Sequence, residues 1–359
     1  MKHNIPLAPF TTFRIGGSAR FFVEVKSADE LAEAVKFKQD NRLSCFVLGG
    51  GSNILVSDDG FDGLVIKMNI CDLWITDIEC RLSTGVVLRA GAGKLWDDVV
   101  FCAVERNAGG IENLSLIPGT VGGAVYQNIG AYGAELKDVL KSVKVFDAKT
   151  GNIIELSNAE CGFKYRSSIF KKSKDLIILE AELMLSRSKN YRPDTHYPDL
   201  KKKFNHHNHN INHDTFSVKL SYDNFTENIP TIVEIRQAVI EIRRSKIPYP
   251  DEVSNAGSFF KNPVIKISNF KSLISKYPDL KGHKMGDGSI KLSAAQLIEK
   301  AGFKGKRFGN VGVSDKHALV LVNYGGGTAK GLIDLAMDIK EEIRVKFDVK
   351  LELEVETCP

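Results

Sequence analysis

No stretch of the 359 residues approaches the roughly 20 consecutive apolar positions needed to span a bilayer. The opening Met1-Lys-His-Asn-Ile-Pro6 also lacks the uninterrupted apolar core of a signal peptide, so the expectation is a cytoplasmic protein with no membrane association. Cysteine is sparse. Cys45, Cys71, Cys80, Cys102, Cys161 and Cys358 stand scattered without C-x-x-C spacing, which signals neither a zinc site nor a disulfide framework, and they read as small apolar side chains. Charge of one sign is hardly in excess: the net +5 favours anionic ligands mildly. Without basic clusters interleaved with aromatics it does not point to nucleic acid. What is present in quantity is apolar residue, 43% of the chain, enough at this length for a sizeable core and two or three domains.

Along the chain, Thr11-Thr-Phe-Arg-Ile-Gly-Gly17 ends in a glycine pair that permits a sharp turn or close approach to a ligand. Ser27-Ala-Asp-Glu30 reads as a capping box ahead of a helix with Leu31, Ala32 and Val35 on one face. Cys45-Phe-Val-Leu48 reads as a buried strand that leads into Gly49-Gly-Gly-Ser-Asn53 and a second apolar run, Ile54-Leu-Val56. Strand-to-strand context excludes a dinucleotide fingerprint, which must open a helix. Two readings stand: a hairpin loop, or a nest of backbone N–H groups around a phosphate. Leu95, Val99, Val100 and Ala103 predict a helix over 95–106, ended by Gly109-Gly110. Ile117-Pro-Gly-Thr-Val-Gly-Gly-Ala124 and Gln127-Asn-Ile-Gly-Ala-Tyr-Gly133 carry five glycines among few charges, a composition for wrapping a cofactor rather than for continuous helix or strand.

A strand pair is expected around residues 143–156 and another strand over 176–185. In Phe163-Lys-Tyr-Arg-Ser-Ser168, Arg166 can clamp a carboxylate with two hydrogen bonds or serve in a surface ion pair. The tract Asn205-His-His-Asn-His-Asn-Ile-Asn-His213 holds four of the eight histidines. With neither helical spacing nor carboxylates beside them, these read as a solvated insertion, and no metal site is expected. A capping box opens a helix at Thr231 that ends in Arg243-Arg-Ser-Lys246, Ser293 caps a short helix closed by Gly302, and Thr328 to Lys346 reads as a long helix. The chain should close with an alternating strand, Lys350-Leu-Glu-Leu-Glu-Val-Glu356, whose glutamates face solvent.

The stretch that organises the rest is Asn255-Ala-Gly-Ser-Phe-Phe-Lys-Asn-Pro263. Gly257 allows a turn that a Cβ would hinder, Phe259 and Phe260 anchor it in apolar surroundings, and Ser258 can donate a proton. On these nine residues alone, a Gly-Ser turn pinned by core phenylalanines is the competing reading.

Together, Gly49 to Asn53, Ile117 to Gly123, Gln127 to Gly133, Tyr165-Arg166, Asn255 to Pro263 and the terminal Leu-Glu-x-Glu-Val resemble the UDP-N-acetylenolpyruvoylglucosamine reductase family, in order, from about residue 8 to residue 355. The resemblance implies an α+β protein: a two-subdomain FAD-binding fold of the vanillyl-alcohol-oxidase/PCMH kind plus a C-terminal α+β substrate-binding domain. The divisions expected are 1–66 and 67–188 for the FAD subdomains, the second joined by a terminal strand in 347–359, and 189–346 for substrate, with an insertion at 201–216. It further implies a monomer in which NADPH reduces FAD, and the flavin reduces UDP-N-acetylglucosamine enolpyruvate to UDP-N-acetylmuramate in peptidoglycan synthesis. Carried over residue by residue, it makes Ser258 the proton donor with Arg166 and Glu354 as catalytic companions. FAD would be held by Arg14, by Gly49, Gly50, Gly51, Ser52 and Asn53, by Pro118, Gly119, Thr120, Gly122 and Gly123, and by Asn128, Gly130, Ala131, Tyr132 and Gly133. Tyr165, Tyr197, Lys246 and Asn262 would contact the UDP-sugar.

Lys189-Asn-Tyr-Arg-Pro-Asp-Thr-His-Tyr-Pro-Asp-Leu200 resembles the diphosphate-binding loop of the family's longer-loop members, which points to Tyr197, with Tyr222 as a second candidate across the insertion. One departure is Glu356, where the family pattern has arginine after Glu-Val. Two rivals from other classes are a flavin-dependent sugar or alcohol oxidase on the same fold, which needs a base in place of Ser258, and a UDP-sugar-binding protein without flavin, against which the intact glycine loops speak.

Overall fold

The computed structural model describes residues 1–80, 83–188, 190–205 and 229–358; Lys189, Tyr222 and the histidine-rich tract from residue 206 lie outside them. The chain divides into two compact units, residues 1–69 with 244–359, and residues 70–243.

The first unit begins with β1 (Lys2–Pro6), β2 (Ser18–Val25), α1 (Ala28–Asp40), β3 (Ser44–Leu48), β4 (Ile54–Val56) and β5 (Phe61–Met68). Four of these strands form a sheet in the order β1-β2-β5-β3, antiparallel at β1 and parallel elsewhere. Ser27 Oγ accepts the Glu30 N–H of α1 at 3.1 Å, but the Glu30 carboxylate takes the N–H of Lys26 rather than that of the cap. The buried face of α1 is Leu31, Ala34 and Val35, not Leu31, Ala32 and Val35, because only the i, i+3, i+4 set shares one side of the helix. Strand β3 is a sheet edge on which Leu48 alone is buried, so the run Cys45–Leu48 is only partly covered.

The second unit holds β6 (Leu73–Cys80), β7 (Ser83–Gly91), α2 (Trp96–Glu105), α3 (Val121–Tyr126), β8 (Gly130–Ala131), β9 (Ala134–Glu135), β10 (Leu140–Asp147), β11 (Ile153–Ser157), β12 (Leu176–Ser186), α4 (Pro198–Asn205) and most of α5 (Ile232–Lys246). Its five-stranded sheet, β11-β10-β12-β7-β6, is antiparallel throughout. Leu95, expected on the apolar face of α2, is the exposed cap residue; the buried face starts at Trp96, whose Nε1 donates to Leu114 O at 2.9 Å. Thr231 and Glu234 form the reciprocal capping box of α5. That helix buries Ile235, Ala238 and Val239 with Leu200 of α4 and Tyr132.

The chain then returns to the first unit with β13 (Ser254–Ser258), β14 (Val264–Ile265), α6 (Ile267–Lys276), β15 (Gly282–Lys284), β16 (Ile290–Leu292), α7 (Ala294–Lys300), β17 (Arg307–Phe308), β18 (Val311–Val313), β19 (Val320–Asn323), α8 (Ala329–Phe347) and β20 (Glu356–Cys358). The sheets here run β13-β19-β18-β17 and β14-β16-β15. Leu332, Leu335, Ala336, Ile339 and Ile343 of α8 pack in one core with Phe13, Phe259 and Phe260. Each fully buried phenylalanine contributes about 1.5–3 kcal/mol. The N–H groups of Ala329 and Lys330 at the start of α8 donate to the Asp58 carboxylate at 2.7 and 2.9 Å.

The end of the chain departs from expectation in two ways. The regular strand is only Glu356–Cys358, and it pairs in parallel with β4 of the first unit rather than joining residues 67–188. Upstream, residues 352–354 meet Phe260 through a single bridge at Leu353, because Lys261 N–H donates to Glu352 O and Glu354 N–H to Phe259 O. Of the three glutamates only Glu352 is exposed; Glu354 and Glu356 are half-buried. Among the described cysteines, Cys161 and Cys358 are buried as small apolar residues, whereas Cys71 is exposed. No helix among the described residues is long and apolar enough to cross a membrane.

Candidate active site

In the first unit, Ser258 ends β13 at a register shift between Asn255 and Ser258 against β19. The shift is built by Asn255, a side chain 1% exposed: Oδ1 accepts Gly257 N–H at 2.9 Å, while Nδ2 donates to Val253 O and Pro248 O at 2.6 and 3.1 Å. Gly257 has φ +69° and open space where a Cβ would stand, so the chain turns there and presents the half-buried Ser258 beside a free volume. Phe259 N–H donates to Leu319 O at 2.8 Å, and its ring meets those of Phe13 and Phe260 edge-on at 6.0 and 5.4 Å. The residue after Ser258 is therefore immobilised in core. Glu354 lies in register with this segment through its N–H to Phe259 O at 2.9 Å.

The glycine loop 49–53 is tied to the same place. Asn53 Nδ2 donates to Glu354 O at 3.2 Å, and Glu356 N–H donates to Asn53 O at 3.0 Å. The loop closes no hairpin, since β3 pairs with β5 and β4 with β20. Gly51 has φ +66°, and a Cβ there would lie 2.0 Å from Phe10 O. Its carbonyl accepts Thr12 N–H at 3.0 Å, and Gly49 O accepts Lys67 Nζ. Arg14 follows with φ +55°, two residues beyond Thr12. Asn262 has a structural engagement: its Oδ1 accepts the N–H of Ala294 at the start of α7, at 3.0 Å. Lys246 is exposed at the end of α5, and its positive charge, after burial and Lys304, helps to hold His317 below the ordinary imidazole value.

In the second unit, the segment from Pro118 contains a short helix, α3, rather than loop throughout. Val121 and Gly122 N–H groups donate to Lys94 O and Ala92 O, both at 2.9 Å, and a Cβ on Gly122 would meet Ala92 Cβ at 3.0 Å. Thr120 Oγ1 is buried with no hydrogen-bond partner among the described residues, and beside it a Cβ on Gly123 would find only that oxygen, at 3.9 Å. Asn128 is fully buried at φ +47°; its amide donates to Glu135 Oε2 at 2.9 Å and accepts Lys137 N–H at 3.0 Å, which fixes the turn into Gly130–Gly133. Lys164 and Ser167 exchange backbone hydrogen bonds and set Arg166 at φ +52° at the tip of a tight turn. Arg166 is half-buried, donates to Gly130 O at 2.7 Å and lies over the Tyr165 ring at 5.4 Å.

Tyr197 precedes α4, 40% exposed, with its ring edge-on to Tyr132 at 5.1 Å. Burial raises both phenols, that of Tyr132 to about 12 despite Arg243 nearby, and that of Tyr197 with help from the Asp199 charge. Both hydroxyls are thus neutral donors at physiological pH. In the same unit, Asp97 receives two hydrogen bonds from Arg236 at 2.8 and 2.9 Å. Burial acts to raise Asp97, but Arg236, the Leu116 N–H and Arg243 outweigh it and hold the carboxyl below the ordinary value.

Sequence reasoning passed over Glu112, Asn113 and Tyr191, and it left out the orienting role of Asn255. Glu112 and Asn113 are 2% and 3% exposed inside the run 110–116, where the other residues are apolar or glycine apart from the small Ser115. A carboxylate and an amide in such a run were the available signal, because polar groups are buried only with partners.

The model of the UDP-N-acetylenolpyruvoylglucosamine reductase C-terminal domain matches residues 248–358, and that of an FAD binding domain matches 19–157. The UDP-N-acetylenolpyruvoylglucosamine reductase of Ralstonia nicotianae is 39% identical over 349 residues, 97% of this chain and 96% of that protein. Its counterpart in Flavobacterium johnsoniae is 38% identical over 356 residues, 99% and 98% of the two chains. The crystal structure of UDP-N-acetylenolpyruvylglucosamine reductase from Thermus caldophilus superposes with a TM-score of 0.64 at 25% identity, covering 99% of this chain and 98% of that one. The expected fold class, an α+β protein with an FAD-binding part and a C-terminal domain, is the one found.

Proposed function

The chain belongs to the UDP-N-acetylenolpyruvoylglucosamine reductase family, and from that membership we propose how its residues divide the reaction. The protein is an FAD-dependent oxidoreductase that uses NADPH to reduce UDP-N-acetylglucosamine enolpyruvate to UDP-N-acetylmuramate in peptidoglycan synthesis. It works as a cytoplasmic monomer on this small-molecule substrate. Residues 1–66 and 67–188 carry the cofactor and 189–346 the UDP-sugar.

FAD, when bound, supplies the hydride, taken from NADPH and delivered to the enolpyruvyl methylene carbon. Addition there drives an electron pair toward the substrate carboxylate and leaves an enolate whose neighbouring carbon needs a proton. Ser258 Oγ–H donates it. Arg166 holds fixed positive charge against the carboxylate, and Glu354 orders the donor. Lys246 offsets the developing charge on the serine oxygen, and Tyr165, Tyr197 and Asn262 hold the UDP-sugar. Arg14, the loop 49–53 and the segment 118–133 hold the cofactor. The orphaned Thr120 Oγ1 beside the open face of Gly123 supports that placement, because a buried hydroxyl without a partner is satisfied by a ligand atom.

The reading rests above all on the backbone bond from Glu354 to Phe259, the neighbour of Ser258, which supports Glu354 acting alongside the serine. Anaerobic stopped-flow with Ser258→Ala tests it. Flavin bleaching by NADPH should stay near normal, since that half-reaction needs no proton at the sugar site. Recovery of colour on adding enolpyruvyl substrate should slow by about 10²–10⁴-fold or more, with Ser258→Cys restoring part of the rate. Wild-type recovery removes the serine from the mechanism, and impaired bleaching assigns it to the flavin or NADPH site.

A further inference from the structure

Among the described residues between β12 and α4 there is no helix or strand, yet residues 191–197 are fastened to the segment 109–133 at three places. The first is Tyr191. Its hydroxyl donates to Glu112 Oε1 at 2.6 Å, and Gly110 N–H donates to Glu112 Oε2, also at 2.6 Å. Its ring lies so close over Gly109 that a Cβ there would stand 2.2 Å from Tyr191 Cε1. The second is Asp194, whose carbonyl accepts Asn113 Nδ2 at 2.9 Å while the same amide nitrogen donates to Tyr132 O at 2.8 Å. The third is the edge-on contact between Tyr132 and Tyr197 at 5.1 Å. Asn113 thus holds the backbone of Tyr132 and the backbone three residues before Tyr197 with one side-chain nitrogen.

We propose that Glu112, Asn113 and Tyr191 form a clasp that positions Tyr197 for the substrate diphosphate, so that affinity for the UDP-sugar is set in part by residues that do not touch it. The proposal rests on the assignment of Tyr197 made above. A tyrosine presented from an irregular segment loses conformational freedom on binding, and a segment already ordered has less to lose. The clasp supplies that order from buried groups. Glu112 is 2% exposed, so its carboxylate depends on the Tyr191 hydroxyl and the Gly110 N–H, and loosening the strap would leave a buried charge short of a donor. Burial, followed by the Glu112 charge, raises the Tyr191 phenol above its ordinary value, so the hydroxyl is a donor at physiological pH.

Two variants open the clasp by different routes. Tyr191→Phe keeps the ring over Gly109 and removes the hydroxyl; Gly109→Ala keeps Glu112 and the hydroxyl and displaces the ring. Each should weaken binding of UDP-N-acetylglucosamine enolpyruvate to the oxidised, NADPH-free holoenzyme, read as Kd by calorimetry. It should also raise KM by about tenfold, equivalent to ~1.4 kcal/mol. Flavin content, bleaching by NADPH and kcat at saturating substrate should remain as in the wild type, a split that general loss of structure would not produce. In a Tyr197→Phe background, neither change should weaken binding by more than a small further factor, because the residue they position has lost its hydrogen bond. Wild-type Kd in both Tyr191→Phe and Gly109→Ala, with Tyr197→Phe defective, overturns the clasp while leaving Tyr197 in place. Full additivity with Tyr197→Phe also overturns it. Wild-type Kd in Tyr197→Phe removes that tyrosine from the diphosphate site and the clasp with it. Should one clasp variant fail to fold, the other carries the same test.

Discussion

Two glycines with nearly the same backbone conformation make a controlled experiment. Gly51 has φ +66° and Gly257 has φ +69°, so replacing either with alanine forces an L-residue into the left-handed region at a cost of about 1–2 kcal/mol. Alanine also lowers the entropy of the unfolded chain, which returns about 0.4–1 kcal/mol in both cases. The surroundings then separate them. A Cβ at Gly257 meets nothing within 4 Å, whereas one at Gly51 would lie 2.0 Å from Phe10 O and 2.8 Å from Thr11 Cα, both backbone atoms that cannot swing aside. Shifting that backbone strains the hydrogen bonds from Thr12 to Gly51 O, and forced repacking of this kind costs about 1–3 kcal/mol more. Gly257→Ala should therefore lie within about 1.5 kcal/mol of the wild type and retain its flavin, yet turn over slowly because it stands next to Ser258. Gly51→Ala should lose about 2–4 kcal/mol and purify with little flavin. Thermal melting with and without added FAD, together with the ratio of flavin to protein absorbance, reads both quantities. If Gly51→Ala keeps a full flavin complement and melts with Gly257→Ala, the loop 49–53 is not the tight cofactor cradle described above.

Asn255→Ala should destabilise the protein by about 1–3 kcal/mol, because it leaves Gly257 N–H and two carbonyls to find new partners, and it should lower kcat more than it raises KM; urea unfolding with steady-state kinetics checks both. Asp97→Asn should cost about 1.5–3 kcal/mol at pH 7 by breaking the paired bonds to Arg236. Since the folded carboxyl sits below its ordinary value of 3.8, that stability is present above pH 3.8 and is lost as pH falls through the folded pKa, so the melting temperatures of variant and wild type should converge in acid. Acid precipitation should release the flavin into the supernatant, because no histidine or cysteine lies in 49–53 or 117–133 to bind it covalently. Colour retained in the pellet would contradict that.

Much of the local geometry around the candidate site was legible in the sequence because the relevant constraints are local. Gly257 and Gly51 are glycines because of their own φ, and a run such as Asn255 to Pro263 announces a turn pinned by aromatics whatever it packs against. Helix caps at Ser293 and Thr231 are equally local, each spanning three or four residues, and they stand where the sequence put them. Even the slip at Ala32 is local: the 3.6-residue period alone decides that Ala34 shares the face of Leu31 and Val35.

Pairing between distant segments is different, because any strand-forming run satisfies the period of many partners. Nothing in Gly49 to Asn53 excluded a hairpin; β3 and β4 take other partners because β5 and the end of the chain compete for them. By its alternation alone Glu354 was one of three solvent-facing glutamates; in the fold it is drawn in by Asn53, 301 residues away, and by its own N–H to Phe259 O. Glu112 and Tyr191 are unremarkable apart, and their meaning appears only when a buried carboxylate needs a donor and the fold brings a phenol to 2.6 Å. Residue chemistry and backbone conformation were thus written in the order of amino acids, while the choice of partner, and with it the burial that gives each polar group its role, belonged to the tertiary structure.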